Sequence, residues 1–223
     1  MLIDFTVENF RSIREPITLS AIAQTHKRNQ SDNKITKPVS FPKRKLELLP
    51  VLGIFGANAS GKSNVLNALQ KVLSFVFFSE LYEKIPTSQR FNFVKPFLLN
   101  STSAKSPTKF AMRILSQGNI YIYNLSILQN VITEEKLEYI PQELERASTR
   151  LIFHRIRNNK SQRYDVENGK EFGETYRELQ TTLKESLAFL GFGLVAVLQL
   201  AAAGMLAITT HKTSNGGVAA HSS

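Results

Sequence analysis

Three observations predict an α/β fold in which a glycine-containing loop joins a strand to a helix, with an antiparallel sheet packed alongside. Residues 51–55, Val-Leu-Gly-Ile-Phe, form a continuous apolar run, as expected of a strand buried on both faces. The eight residues after it fit the pattern G-x-x-x-x-G-K-[ST]. Beyond them Val65, Leu66, Leu69, Val72, Leu73, Val76 and Phe77 recur at spacings of three and four, which predicts a helix from Lys62 to about Phe78 with one apolar stripe.

The remaining elements follow from alternation and turn signals. Residues 2–7 alternate and are rich in strand formers, and a second run over 17–23 follows Arg14-Glu15-Pro16, so the two predict a hairpin. Residues 24–45 turn polar and basic around Pro38 and Pro42, which predicts a surface loop. Residues 110–115, 120–128 and 150–153 predict strands of an antiparallel sheet, separated by turn signals such as Gln117-Gly118-Asn119 and Asn158-Asn159. Glu134 and Glu135 are expected in the turn after an apolar strand, starting a solvated helix or hairpin, and receive no catalytic role. Residues 176–185 suit a helix.

Composition narrows the chemistry. The chain of 223 residues is 42% hydrophobic and 21% charged, an ordinary globular balance that suits one main domain. Without cysteine there is no disulfide framework, no thiolate zinc site and no cysteine nucleophile, and a reducing compartment is permitted. The net charge of +10 sits almost wholly in the first 185 residues, which hold 27 of the 28 Lys and Arg and all 18 Asp and Glu. A basic domain attracts polyanions, so DNA is a candidate partner, and a solvated surface that helps hold nucleotide phosphates is the alternative. The start, Met-Leu-Ile-Asp-Phe, is not a secretory signal, and a cytoplasmic location is expected. His26, His154, His211 and His221 are dispersed and predict no metal site.

The loop Gly56-Ala57-Asn58-Ala59-Ser60-Gly61-Lys62-Ser63 carries the functional prediction. Its glycines let the backbone turn so that successive N–H groups converge at the positive end of the following helix, an anion-binding concavity. Lys62 then reaches the outer phosphates of a nucleoside triphosphate, and Ser63 offers its hydroxyl to Mg²⁺. ATP with Mg²⁺ is the expected ligand, held by Gly56 to Ser63 together with Asn64.

Asn58 within the loop, together with Asn9-Phe10-Arg11-Ser12 near the start, resembles the ABC-type ATPases of the RecF and structural-maintenance-of-chromosomes group. Those families open with a strand, a segment close to N-F-R-S, a connecting region and a loop of the form G-x-N-x-x-G-K-S. Gly56, Asn58, Gly61, Lys62 and Ser63 match that form, while Ala59 replaces a glycine often found there. The middle of the chain, from Phe97 through Thr133-Glu134-Glu135-Lys136-Leu137 to Phe153-His154-Arg155, is similar to bacterial AAA-like ATPases related to the overcoming-lysogenization-defect proteins. The resemblance covers about residues 1–185 and implies an N-terminal ATPase lobe with a mixed sheet and an antiparallel β-subdomain. It also implies that Arg11 lies near the nucleotide and Asn58 near the terminal phosphate or attacking water. Complete relatives would act as homodimers, or with a partner ATPase or nuclease subunit, in DNA clamping, nuclease regulation or phage defence.

Two family features have no counterpart in the sequence: a later apolar strand ending in Asp-Glu, and a loop of the L-S-G-G type. The expectation is a first lobe over 1–185 that binds ATP more readily than it hydrolyses it, followed by a tail over 186–223 that does not resemble the second lobe. Residues 187–208 contain no charge and are long enough to cross a bilayer, which takes about 20 apolar residues. Gly191, Gly193, Gly204 and Gln199 suit a buried helix or a non-native end as well. The alternative to an ATPase is therefore a truncated, non-hydrolysing nucleotide-binding protein or a membrane-tethered interaction protein.

Overall fold

A computed structural model describes residues 1–23, 37–41, 44–58, 60–77, 86, 89, 92, 94–116, 118–141, 148–158 and 160–170. Within these, β1 (Leu2–Glu8), β2 (Ile17–Ser20), β3 (Lys37–Phe41) and β4 (Arg44–Leu48) precede α1 (Lys62–Phe77). A single turn, α2 (Ser101–Ala104), follows, and then β5 (Thr108–Ser116), β6 (Asn119–Leu128), β7 (Val131–Ile140), β8 (Arg150–Arg157) and β9 (Tyr164–Asn168). Seven strands make one antiparallel sheet in the order β2-β1-β5-β6-β7-β8-β9, and β3 pairs with β4 separately.

The sheet forms because alternate residues of its strands are apolar and α1 supplies a matching stripe. Phe5 and Val7 of β1, Phe110, Met112 and Ile114 of β5, and Tyr123, Leu125 and Ile127 of β6 are buried with Val65, Ala68, Leu69, Val72, Phe75 and Val76 of α1 in one core. Ala68 and Phe75 belong to this stripe, whereas Leu66, expected in it, lies partly exposed. Phe110 stacks on Phe5 at 6.5 Å and meets the edge of Phe10 at 5.9 Å, which fixes the end of β1 against β5. A smaller cluster of Ile3, Leu48 and Ile120 anchors β4 to the sheet. Leu48 bridges Ile22, and the backbone amide of Leu49 donates to Ala21 at 2.7 Å.

Several elements differ from their expectation. The β3–β4 hairpin occupies part of the stretch expected as a loop, since Val39 and Leu46 are register partners across a two-residue connection. Glu134 and Glu135 lie within β7, not in a turn, and β9 extends the sheet beyond β8. Residues 51–55 form no strand: Val51 is 80% and Phe55 93% exposed, and among the described residues no neighbouring strand pairs with them. An apolar run becomes a buried strand only when neighbours cover both of its faces. The last turn expected of α1, at Phe78, and the stretches 176–185 and 187–208 lie outside the described residues. Among those described, no helix is long and apolar enough to cross a membrane.

Asn9, just past β1, ties distant segments together. Its φ is +54°, and its side chain donates to the carbonyls of Ser103 (2.8 Å), Ser106 (2.9 Å) and Pro107 (3.3 Å) while accepting from the amide of Phe97 (2.9 Å). Thr108 Oγ1 donates to its carbonyl at 2.7 Å. Asn9→Ala is expected to cost about 2–4 kcal/mol, because it leaves the Phe97 amide without this acceptor and forces alanine into a left-handed conformation. Asn9→Gly should cost about 1 kcal/mol less, since glycine accepts the positive φ. Urea melts check both, and a loss below about 0.5 kcal/mol for Asn9→Ala would remove Asn9 from this role.

Candidate functional site

The site is built where the end of β1 meets the start of α1. After Asn9 the chain reverses in a two-residue turn: Phe10 and Ile13 exchange backbone hydrogen bonds at 2.8 Å in both directions, leaving Arg11 and Ser12 at the tip. Phe10 and Ile13 are buried in the main core, so the base of the turn is held by packing. Arg11 has a φ of +53°, unfavourable for a residue with a side chain, and its amide donates to Lys95 at 2.7 Å. Its guanidinium lies 5.3 Å from the centre of the Phe10 ring, a cation–π distance.

The phosphate loop stands beside this tip. Gly61 has a φ of +91°, a conformation that favours glycine, and a Cβ added there would sit 3.4 Å from Ser12 Oγ. At Gly56 a Cβ would lie 3.1 Å from Ser60 Oγ, so the glycine permits the close return of the loop. The amides of Asn64 and Val65 donate to Gly61 at 2.9 and 3.2 Å, which starts α1 and leaves the first helical N–H groups directed out of its end. Lys62 turns back over the loop, its Nζ donating to the carbonyls of Gly56 and Ala57 at 2.7 Å each, with Ser60 Oγ at 3.5 Å. Ser63 is exposed on the first turn.

The structure therefore brings Gly56, Ala57, Ser60, Gly61, Lys62, Ser63 and Asn64 into one loop and helix start, with Arg11 on the adjoining tip. Ala59 lies outside the described residues, and Asn58 sits in the turn of the loop. The residue missed in the sequence is Ser12: Asn64 Nδ2 donates to its hydroxyl at 2.7 Å. Its only signal was membership of the N-F-R-S segment. Positive φ at Gly61, a cation held by loop carbonyls and a hydroxyl on the first helical turn suit a polyphosphate with a divalent cation. Among the described residues no group of three His, Asp or Glu is placed to hold a metal ion by itself.

A second polar constellation lies across β6, β7 and β8 of the seven-stranded sheet. Glu135 and Arg155 are register partners on β7 and β8, 0% and 2% exposed, with Arg155 Nη2 at 2.6 Å from Glu135 Oε2 and Nε at 2.8 Å from the same oxygen. Tyr123 donates its hydroxyl to the other carboxylate oxygen at 2.7 Å. Burial, reinforced by the Glu135 charge, pushes the Tyr123 phenol well above its ordinary pKa. The Arg155 guanidinium stands 4.9 Å from the centre of the Tyr164 ring. This cluster belongs to the sheet and not to the phosphate loop.

No curated protein matches the chain. Residues 51–202 match the family described as "AAA domain, putative AbiEii toxin, Type IV TA system", a stretch that begins at the apolar run before the loop and covers more than half of the chain. A nucleotide-binding, ATPase-type domain agrees with the loop, the helix and the sheet beside them, and the chain belongs to this AAA domain family.

Proposed function

We propose that the chain binds Mg-ATP in the cradle formed by Gly56 to Ser63 and Arg11, with Asn64 at the helix start beside it. The observation that carries this reading is Lys62, whose ammonium is concentrated over the loop by two carbonyls at the mouth of a helix. Loop and helix amides bind phosphate oxygens, Lys62 neutralises the outer phosphates, and Ser63 supplies a hydroxyl ligand to Mg²⁺, which draws the phosphate oxygens into a fixed arrangement when bound. The Arg11 guanidinium, on a strained tip beside the loop, adds positive charge at its rim.

Within the wider class, the N-F-R-S segment and the asparagine in the loop support placement with the ABC-type ATPases of the RecF, structural-maintenance-of-chromosomes and overcoming-lysogenization-defect group. The corresponding role is a cytoplasmic, nucleotide-gated switch, working as a homodimer or with a partner ATPase or nuclease subunit in DNA binding, nuclease regulation or phage defence. Calorimetry of the chain with Mg-ATP, with phosphate release followed in the same sample, tests the reading. Saturable binding at one site that is weakened by chelating Mg²⁺ is expected, and absence of binding would overturn it. Lys62-dependent phosphate release would extend the reading from binding to hydrolysis.

A further inference from the structure

We infer that Ser12 is a positioning residue for the phosphate loop, and that Asn64 serves the site through Ser12 and not by touching nucleotide. The inference rests on the Mg-ATP reading and deepens it. Core packing of Val65, Ala68 and Leu69 fixes where α1 lies on the sheet, but it acts from one side of the helix, and of the first turn, residues 62–65, it includes only Val65. Ser12 and Asn64, 52 residues apart in sequence, close that gap with one hydrogen bond of 2.7 Å from the helix's third residue to the β1 tip. The Ser12 hydroxyl also faces Gly61, where a Cβ would stand 3.4 Å away, so tip and loop are in near contact at the residue whose carbonyl starts the helix.

The tip itself is tied down at several points. The Phe10–Ile13 bonds close it, the burial of Phe10 and Ile13 packs it into the core, and the Arg11 amide ties it to Lys95. A left-handed conformation at Arg11 persists only where its surroundings enforce it, and here it sets the turn that presents Ser12 to Asn64. The amides that bind phosphate are thereby held in place before ligand arrives, so ordering them on binding costs less. One N–H of the Asn64 side-chain amide is committed to Ser12 in this arrangement.

Two measurements on the full chain test the pair. In the nucleotide-free protein, Ser12→Ala should speed hydrogen exchange at the amides of residues 61–65, leave the β5–β8 amides unchanged, and be reversed by Ser12→Thr, which keeps the hydroxyl. With Mg-ATP, Ser12→Ala and Asn64→Ala should each weaken binding about two- to tenfold, and the double variant should be no weaker than either alone. Unchanged exchange at 61–65, or additive losses in the double variant, would overturn the inference. Altered exchange in a chain that does not bind Mg-ATP would keep the positioning role and defeat only the nucleotide reading.

Discussion

Lys62→Ala is expected to lower the affinity for Mg-ATP by about ten- to a hundredfold, because a charge-assisted hydrogen bond to phosphate is worth about 1.5–3 kcal/mol and each 1.4 kcal/mol is a decade. The side chain is already stationed over the loop by Gly56 and Ala57, so little side-chain entropy is lost when it turns to phosphate. The same bonds explain why the fold should persist: they are exposed and local, spanning five and six residues. The thermal midpoint of the variant is therefore expected within about 2 °C of the parent, a shift that corresponds to about 0.5–1 kcal/mol. Lys62→Arg should restore only part of the affinity, since the planar guanidinium cannot place three donors around one point as an ammonium does. Calorimetry on the three proteins decides the matter, and an affinity unchanged in Lys62→Ala would remove the loop from phosphate binding.

The loop was legible because its chemistry is local. A glycine at Gly61 and a lysine directly after it satisfy requirements of backbone conformation and charge that depend on neighbours a few residues away. The same holds for α1, whose stripe of Val65, Leu69, Val72 and Val76 specifies both helix and buried face. What the sequence hid was long-range. Ser12 meets Asn64 only because the β1 tip folds over the start of α1, and Asn9 reaches residues 97 to 107 through side-chain bonds that no periodicity encodes. Residues 51–55 read as a buried strand from composition alone, yet that conformation depends on flanking strands, which composition does not supply.

β7 escaped the sequence reading for a more specific reason. Alternation in Val-Ile-Thr-Glu-Glu-Lys-Leu-Glu-Tyr-Ile is broken by a register shift near Ile127 on β6 and by a charged residue, Glu135, that faces the core. An inward glutamate makes sense only once its partner is known, and that partner, Arg155, lies 20 residues later on β8. The two charges opposite each other also specify register, because sliding β8 by one residue would turn Arg155 to solvent and leave Glu135 facing apolar side chains.

Arg155→Leu is accordingly expected to destabilise the protein by about 3–5 kcal/mol, since it strands a buried carboxylate. Glu135→Leu/Arg155→Leu with Tyr123→Phe removes all three polar groups and should recover most of that loss, because a buried ion pair gains little net stability over well-packed apolar residues. Denaturant melts measure both, and a loss below about 1 kcal/mol for Arg155→Leu would mean that water reaches Glu135. Tyr123 adds a pH signature. Its pKa is raised in the folded state, so the folded chain keeps the phenol proton at pH values where the unfolded chain, titrating near about 10, has lost it. The stability associated with the neutral phenol is present below about pH 10 and falls as pH rises above it. Tyr123→Phe removes that group, so although the variant is less stable at neutral pH for want of the bond to Glu135, its stability should decline less steeply above pH 10. Equal slopes for parent and variant would show that Tyr123 titrates alike in the folded and unfolded chain, and with it that the cluster is open to solvent.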